Sequence, residues 1–361
     1  MTEVAVLGAG SGGLAAAADL VSRGYTVRLY NRSEAPLKTI RVRGGVQASG
    51  AVGDGLAVVQ TVTTSLDEAV DGAEAILVVL PATAHGDIAR ALADKGAAAP
   101  IILNPGHMCG SLHVRRVFEA AGETLAVAEL GTLTYVSRSL APGTVDVYLR
   151  AAGVPFSTVP NDDEIANLVE VLLPGQSRAA HPMEVWFWDV NMVLHPPGMI
   201  LGAARIESTR GEFHFYRDGI TDSVEAVMTR LDEERVEVAR AFGAVVPRLA
   251  EAMATIGTAD VEAARAGQLG EAIRGSAANA SIKAPPRLDH RYLHEDIPFG
   301  LVPLTALGHI AAVPTPVASG LIELAEVING RSYMADGLNE DALGIRGARV
   351  DEVAAIAGGK A

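Results

Sequence analysis

The chain predicts an α/β protein: an open, doubly wound parallel sheet in its first half, followed by an all-helical C-terminal half. Three observations carry that expectation. A strand, a glycine-rich turn and a helix follow one another at the start; strand-like apolar runs then alternate with helical stretches; and beyond Ala180 only helical spacing continues. Such alternation builds parallel sheets, because a parallel neighbour is reached only through a helix-length crossover.

The first element is the apolar run Glu3 to Leu7, and the second is the turn Gly8-Ala-Gly10-Ser11-Gly-Gly13 opening a helix from Leu14 to Arg23. Each glycine has a separate use. Gly8 permits the tight turn, Gly10 lets the backbone approach a pyrophosphate, and Gly13 lets the helix pack against the strand. The helix N–H groups beside Ser11 then face the anion. A second strand runs from Thr26 to Tyr30 and ends in Asn31-Arg32-Ser33, with no carboxylate before Glu34. A carboxylate at this place accepts hydrogen bonds from an adenosine ribose, whereas arginine followed by a hydroxyl suits a 2′-phosphate. The expected cofactor is therefore NADP(H), held by Asn31, Arg32 and Ser33, with NAD(H) as the alternative. One charge-assisted hydrogen bond, about 1.5–3 kcal/mol, supports roughly ten- to hundredfold preference.

The next elements are a strand from Ala75 to Leu80 closed by Pro81, a helix from His85 to Lys95, a strand from Pro100 to Leu103 closed by Asn104-Pro105-Gly106, and a helix from Leu112 to Ala121. Ligands of open parallel sheets lie at the carboxyl ends of the strands, which puts Pro81 and Asn104 beside the cofactor. Leu125 to Glu129, Thr144 to Leu149 and Pro155 to Val159 read as the remaining strands of this sheet, with a helix from Asp162 to Leu172. Past Ala180, Glu184 to Glu207, Asp222 to Phe242, Val246 to Ile256, Leu301 to Leu307 and Val317 to Ile328 carry helical spacing. Val224, Val227, Met228, Leu231, Val238 and Phe242 share one apolar face, while Asp232, Glu233, Glu234 and Arg235 read as solvated. Gly270 to Asp289, rich in Ala, Ser, Pro and Gly, reads as a mobile loop. The expected division is a dinucleotide domain over 1–180 and a helical substrate domain over 181–361.

A length of 361 residues accommodates two such cores. The net charge of −14 argues against nucleic acid and anionic membrane as partners. A single cysteine, Cys109, excludes an internal disulfide. No apolar run approaches the roughly 20 residues of a membrane helix, and no signal peptide is recognisable, so a cytoplasmic enzyme is expected.

A hydride-transfer site needs a proton donor or acceptor, a partner that fixes its tautomer, and a cation for a substrate carboxylate. Nine histidines compete for the first role. His195 stands at the end of an apolar helical stretch, before the pair Pro196-Pro197, which reads as a helix break. His85 is the rival, His107 and His113 lie on the cofactor side, and His294 reads as a surface residue. The mixed-charge stretch Asp289 to Pro298 reads, on its residues alone, as a solvated loop. No Cys or His cluster has metal-ligand spacing, so no metal is expected.

Three stretches carry a resemblance: Asn191-Met-Val-Leu-His195-Pro-Pro-Gly-Met-Ile-Leu-Gly-Ala-Ala-Arg205-Ile-Glu207-Ser208, Phe215-Tyr216-Arg217-Asp218-Gly219-Ile220-Thr221, and Arg291-Tyr-Leu-His-Glu-Asp296-Ile-Pro-Phe-Gly300-Leu-Val-Pro303. With them the chain resembles the octopine/nopaline (opine) dehydrogenase family, most closely the bacterial N-(1-carboxyethyl)-norvaline dehydrogenase type. The resemblance runs from the glycine turn to about Asn329. It implies an N-terminal Rossmann domain and reductive condensation of a 2-oxo acid with an amino acid or amine. It also makes His195 the catalytic histidine, Asp296 its carboxylate partner and Arg291 a carboxylate clamp. Asn191, one turn before His195, becomes a second candidate for substrate binding. Asn31-Arg32 departs from the acidic ending of NAD-using relatives. Two other readings use the same residues: an NADP-dependent reductase giving an alcohol, and a dinucleotide-binding module without turnover. Cys109 reads as non-catalytic, Trp186 and Trp188 as packing residues, and a homodimer is the expected assembly.

Overall fold

The computed structural model describes residues 2–358, the Leu140 side chain excepted. The chain divides into two compact units: Met1–Gly106 with Gly110–Arg178, and His107–Cys109 with Ala179–Ala361.

The first unit carries twelve strands: β1 (Glu3–Leu7), β2 (Thr26–Tyr30), β3 (Gly45–Gly50), β4 (Gly55–Val58), β5 (Thr61–Thr63), β6 (Ala75–Val78), β7 (Ile101–Leu103), β8 (Val127–Leu130), β9 (Tyr135–Ala141), β10 (Thr144–Arg150), β11 (Pro155–Val159) and β12 (Ser177–Arg178). Eight of them form one sheet in the order β12-β11-β8-β7-β6-β1-β2-β5. From β8 to β5 all neighbours are parallel, and β11 joins β8 antiparallel. The register Leu7↔Tyr30 and Leu7↔Val78 brings the ends of β1, β2 and β6 level. The glycine turn, the Asn31 segment and Pro81 therefore leave the sheet on one edge. Helices Ser11–Ser22, His85–Asp94, Gly110–Ala120 and Asp163–Leu172 stand close to where the apolar periodicity puts them.

One expectation fails here. The run from Thr144 does not enter the main sheet; β10 pairs parallel with β3 and antiparallel with β9 in a separate four-stranded sheet, β4-β3-β10-β9. The reason is visible in burial. Strands β6, β7 and β8 are buried on both faces, whereas β10 buries Val145 and Val147 and exposes Tyr148, the alternation of a sheet covered on one side. Its partner β3, and β4 beyond it, are short and glycine-bearing, so they carry little periodic signal.

In the second unit the helical stretches break into shorter pieces. Glu184 to Glu207 becomes Pro182–Trp186, Asn191–Leu201 and Ala203–Thr209, and the later helices include Phe215–Asp218, Asp222–Ala241, Leu249–Thr255, Arg291–His294, Val302–Ile310 and Pro316–Asn329. Pro196 and Pro197 do not end a helix but lie inside Asn191–Leu201. An interior proline costs about 3 kcal/mol. Burial of every residue from Met192 to Ile200 offsets it, and Gly198 leaves room for the Phe215 ring, which a Cβ would meet at 2.7 Å. Gly270 to Asp289 is likewise no continuous loop, since it starts within helix Leu269–Arg274 and Lys283 pairs with His214 in an isolated bridge. Among the described residues no helix is long and apolar enough to cross a membrane.

The charged segment 232–235 is corrected more sharply. Asp232, Glu234 and Arg235 are buried, and only Glu233 stays near the surface, paired with Arg230. The Arg235 guanidinium donates to Asp232, to Phe187 O (2.5 Å) and to Pro247 O (2.7 Å), while Asp232 also accepts from Leu249 N. Glu234 accepts from Val317 N and Ala318 N, capping the helix Pro316–Asn329. A helix-face pattern cannot distinguish solvated charges from charges that tie three segments together. Replacing Arg235 with Ala strands a buried carboxylate and two carbonyls, and is expected to cost about 3–5 kcal/mol in denaturant unfolding; Glu233→Ala is expected to be near neutral.

Candidate functional site

Two groups of residues have the chemistry of a site, one in each unit. In the second unit, helix Asn191–Leu201 delivers His195, and Asp296 sits just before the π-helical turn Ile297–Leu301. His195 Nδ1 lies 2.6 Å from Asp296 Oδ2, and both residues are buried, at 6% and 3% exposure. The carboxylate accepts the Nδ1 proton, which leaves Nε2 as the reactive nitrogen. Nε2 stands 2.7 Å from the hydroxyl of Tyr216, on the short helix Phe215–Asp218. The Tyr292 ring stacks on the imidazole at 3.7 Å between centroids and 5° between planes. The dyad is thereby fixed at both nitrogens and on one face.

Electrostatics fit proton transfer. Burial pushes the Asp296 carboxyl above its usual range, and the adjoining His195 ring pulls it back toward ionisation. Burial raises the Tyr216 phenol well above its usual value, with Tyr292 adding to the effect, so Tyr216 remains a hydroxyl that donates to a neutral Nε2. A carboxylate-held imidazole whose other nitrogen meets a hydroxyl is placed to pass a proton at that nitrogen.

The other candidates fall as follows. Arg291 opens the helix Arg291–His294 with its side chain 66% exposed and its Nε 3.4 Å from Glu295 Oε2. Asn191 begins the His195 helix, half-buried, its backbone N–H held by Asp189 Oδ1 at 3.1 Å. His85 is buried in the first unit with Nε2 3.2 Å from Leu80 O, and burial with Arg90 nearby lowers His113 to about 4, leaving it neutral. His294 is no plain surface residue: it bridges Tyr333 (2.6 Å) and Asp289 (2.7 Å). The stretch read as a solvated loop is thus a built segment. Sequence reasoning assigned no role to Tyr216 or Tyr292, although both lie within the stretches that carried the resemblance; a side-chain contact made across the fold has no periodic signature.

In the first unit the glycine turn fits a dinucleotide. Gly8 has φ +123°, and a Cβ there would meet Val79 O at 2.3 Å. A Cβ on Gly13 would sit 1.9 Å from Gly8 O, whereas one on Gly10 meets nothing within 4 Å. Gly8 and Gly13 are therefore required by the fold, and Gly10 leaves an open approach at the start of helix Ser11–Ser22, which has no side-chain cap. Asn31 Oδ1 accepts from Ala9 N at 3.2 Å, and its amide donates to the carbonyl and hydroxyl of Ser33. Asn31 thus braces the turn. Ser11 Oγ accepts from Ser139 N, and Asn104 is buried, exchanging hydrogen bonds with Thr134. Arg32 is exposed and, among the described residues, makes no hydrogen bond or ion pair; Glu34, the first carboxylate after β2, is paired with Arg41. Pro81 is exposed just past β6, before the turn Ala82–Ala84.

Residues 178–329 match the family described as NAD/NADP octopine/nopaline dehydrogenase, alpha-helical domain, and residues 3–136 match the N-terminus of NAD-dependent glycerol-3-phosphate dehydrogenase. The chain is 32% identical to opine dehydrogenase from Arthrobacter sp. (strain 1C) over 95% of both chains, and 25% identical to protein ocs of Agrobacterium vitis over 98% of both. Among solved structures it resembles octopine dehydrogenase in complex with NADH and agmatine (TM-score 0.77, 20% identity, 100% of this chain and 99% of that one). It also resembles NADP+-bound yersinopine dehydrogenase (TM-score 0.74, 15% identity, 100% and 98%).

The glycine geometry separates two effects. Gly13→Ala is expected to lower the melting temperature, because its Cβ collides with backbone. Gly10→Ala is expected to keep the melting temperature and weaken dinucleotide binding by about tenfold or more, read by NADPH fluorescence titration.

Proposed function

We propose that this chain, which belongs to the octopine/nopaline (opine) dehydrogenase family, is an NADPH-dependent member that couples a 2-oxo acid to an amino acid or amine through His195 and Asp296. Its standing as an NAD(P)-dependent oxidoreductase, and reductive condensation of an oxo acid with an amino acid as its reaction, rest on that kinship. The residue roles and the choice of NADPH are our reading. The observation that carries it is the buried His195–Asp296 pair with Tyr216 on the remaining nitrogen.

The chemistry follows from the residues. Addition of the amine to the oxo acid gives a carbinolamine, which must lose water before reduction. His195, as an imidazolium stabilised by Asp296 at Nδ1, gives its Nε2 proton to the departing oxygen, which leaves as water, and the ring becomes neutral. In the reverse direction the neutral ring acts as base. Tyr216 holds Nε2 in position and supplies a hydroxyl through which the proton is shared. Arg291, planar, largely exposed and 3.4 Å from Glu295, is suited to grip a substrate carboxylate. Burial of the dyad excludes water from the proton it handles. When bound, the reduced nicotinamide supplies the hydride that makes the secondary amine.

Three features support NADPH: the absence of a carboxylate between β2 and Glu34, the pairing of Glu34 with Arg41, and the free, exposed guanidinium of Arg32. They leave an exposed cation, unpaired among the described residues, just past β2, where a 2′-phosphate would lie.

The test is oxidation of NADPH and of NADH with a panel of 2-oxo acids, each with and without amino acids and amines. Amine-dependent oxidation with NADPH preferred is expected; amine-independent turnover would contradict the condensation. Replacing His195 with Ala is expected to lower turnover by roughly 10²–10⁴ while cofactor binding persists. Arg32→Ala is expected to reduce the NADPH-over-NADH preference by roughly ten- to hundredfold, and an unchanged ratio would remove Arg32 from the cofactor site.

A further inference from the structure

His107 belongs to the second unit although its neighbours Gly106 and Gly110 belong to the first. It takes φ +61°, a backbone state that non-glycine residues rarely hold without compensation. The next residue, Met108, donates its N–H to Phe299 O at 3.2 Å. The His107 ring is placed between two buried carboxylates: Nδ1 is 3.4 Å from Asp189 Oδ2 and Nε2 is 3.0 Å from Glu295 Oε1, all three residues being at most 4% exposed. Neither His107 Nδ1 nor Asp189 Oδ2 has another hydrogen-bond partner among the described residues.

Each carboxylate leads directly to the His195–Asp296 pair. Asp189 Oδ1 accepts the backbone N–H of Asn191 and so caps the first turn of the helix that carries His195. Glu295 is covalently next to Asp296. Three carboxylates, Asp189, Glu295 and Asp296, are therefore buried together, and the charges of Glu295 and Asp189 both act to raise Asp296. Without a balancing cation one of them would take up a proton, and Asp296 is the one whose ionisation the dyad needs. Within this unit the charged groups around His107 are Asp189 and Glu295, with Arg291 on the far side of Glu295 and His195 beyond Asp296.

We propose that His107 is the positioning residue of the proton-transfer pair: as a buried cation between Asp189 and Glu295 it joins the start of the His195 helix to the Asp296 segment and keeps Asp296 ionised. The two carboxylates hold its ring protonated well above the usual histidine range, against the opposing effect of burial. The proposal rests on the reading of His195 and Asp296 given above. A purely structural role would need only a ring of the right shape; this one needs the charge.

The test is imidazole 15N NMR titration of the full chain labelled at histidine, with His107→Gln and His195→Gln assigning the two rings. His107 is expected to be protonated at neutral pH. In His107→Gln the unbalanced carboxylates are expected to let Asp296 take up a proton, lowering the His195 midpoint by roughly half a pH unit or more and carrying the pH profile of kcat downward with it. The double variant His107→Gln/Glu295→Gln, which removes one charge of each sign, is expected to return the midpoint toward the starting value. Asp189→Asn, whose amide oxygen can still cap Asn191, is expected to lower the His107 midpoint and serves if His107→Gln does not fold. A His107 ring neutral at neutral pH, or a folded His107→Gln protein with lowered melting temperature and an unmoved His195 midpoint, would overturn the proposal. Absence of amine-dependent turnover would instead strike the proposed function, since the titration is read without substrate.

Discussion

The contact between His195 Nδ1 and Asp296 Oδ2 joins residues 101 positions apart, and much of the second unit serves to make it. Burying a carboxylate and an imidazole together is costly unless their remaining hydrogen-bonding atoms are satisfied. Tyr216 satisfies the far nitrogen, Tyr292 covers the ring face, and the π-helical turn after Asp296 begins where Leu301 N returns to Asp296 O at 3.1 Å. The helix bearing His195 tolerates two interior prolines because its whole length from Met192 to Ile200 is buried. A dyad braced on several sides has little freedom to reorganise, which is what preorganised proton transfer asks of it.

The first unit answers a different constraint. A pyrophosphate needs open backbone N–H groups, so the protein leaves the helix start at Ser11 without a side-chain cap and braces the surrounding loop elsewhere. Asn31 holds Ala9 and Ser33, Ser11 is held by Ser139 of β9, and Asn104 is locked to Thr134. Four residues that read as cofactor contacts in sequence, Ser11, Asn31, Ser33 and Asn104, are thus engaged with their own scaffold. Arg32 beside them is exposed and unpaired among the described residues.

Much of the fold was legible in the sequence, for reasons that differ by element. Strands buried on both faces announce themselves as apolar runs, and β1, β6, β7 and β11 stand where those runs stand. β10 misled because its apolar residues alternate and its neighbour β3, with β4 beyond it, is short and glycine-bearing. Asp232, Glu234 and Arg235 misled because charge predicts exposure only until a buried carbonyl or helix start needs a partner. His195 and Asp296 were singled out through the family resemblance, while position alone left several histidines open. Tyr216, Tyr292 and the His107–Asp189–Glu295 cluster were out of reach: each is a contact across the chain between residues with no spacing to connect them.

The role proposed for His195 and Asp296 is to serve the reduction of an imine formed from an oxo acid and an amine. The most direct measurement follows the label from NADPH deuterated at the transferable position of nicotinamide C4, in the presence of a 2-oxo acid and an amino acid, with products analysed by mass spectrometry and NMR. Deuterium is expected on the former carbonyl carbon of a new secondary amine dicarboxylate. Deuterium in a 2-hydroxy acid, with the amino acid recovered unchanged, would contradict that role.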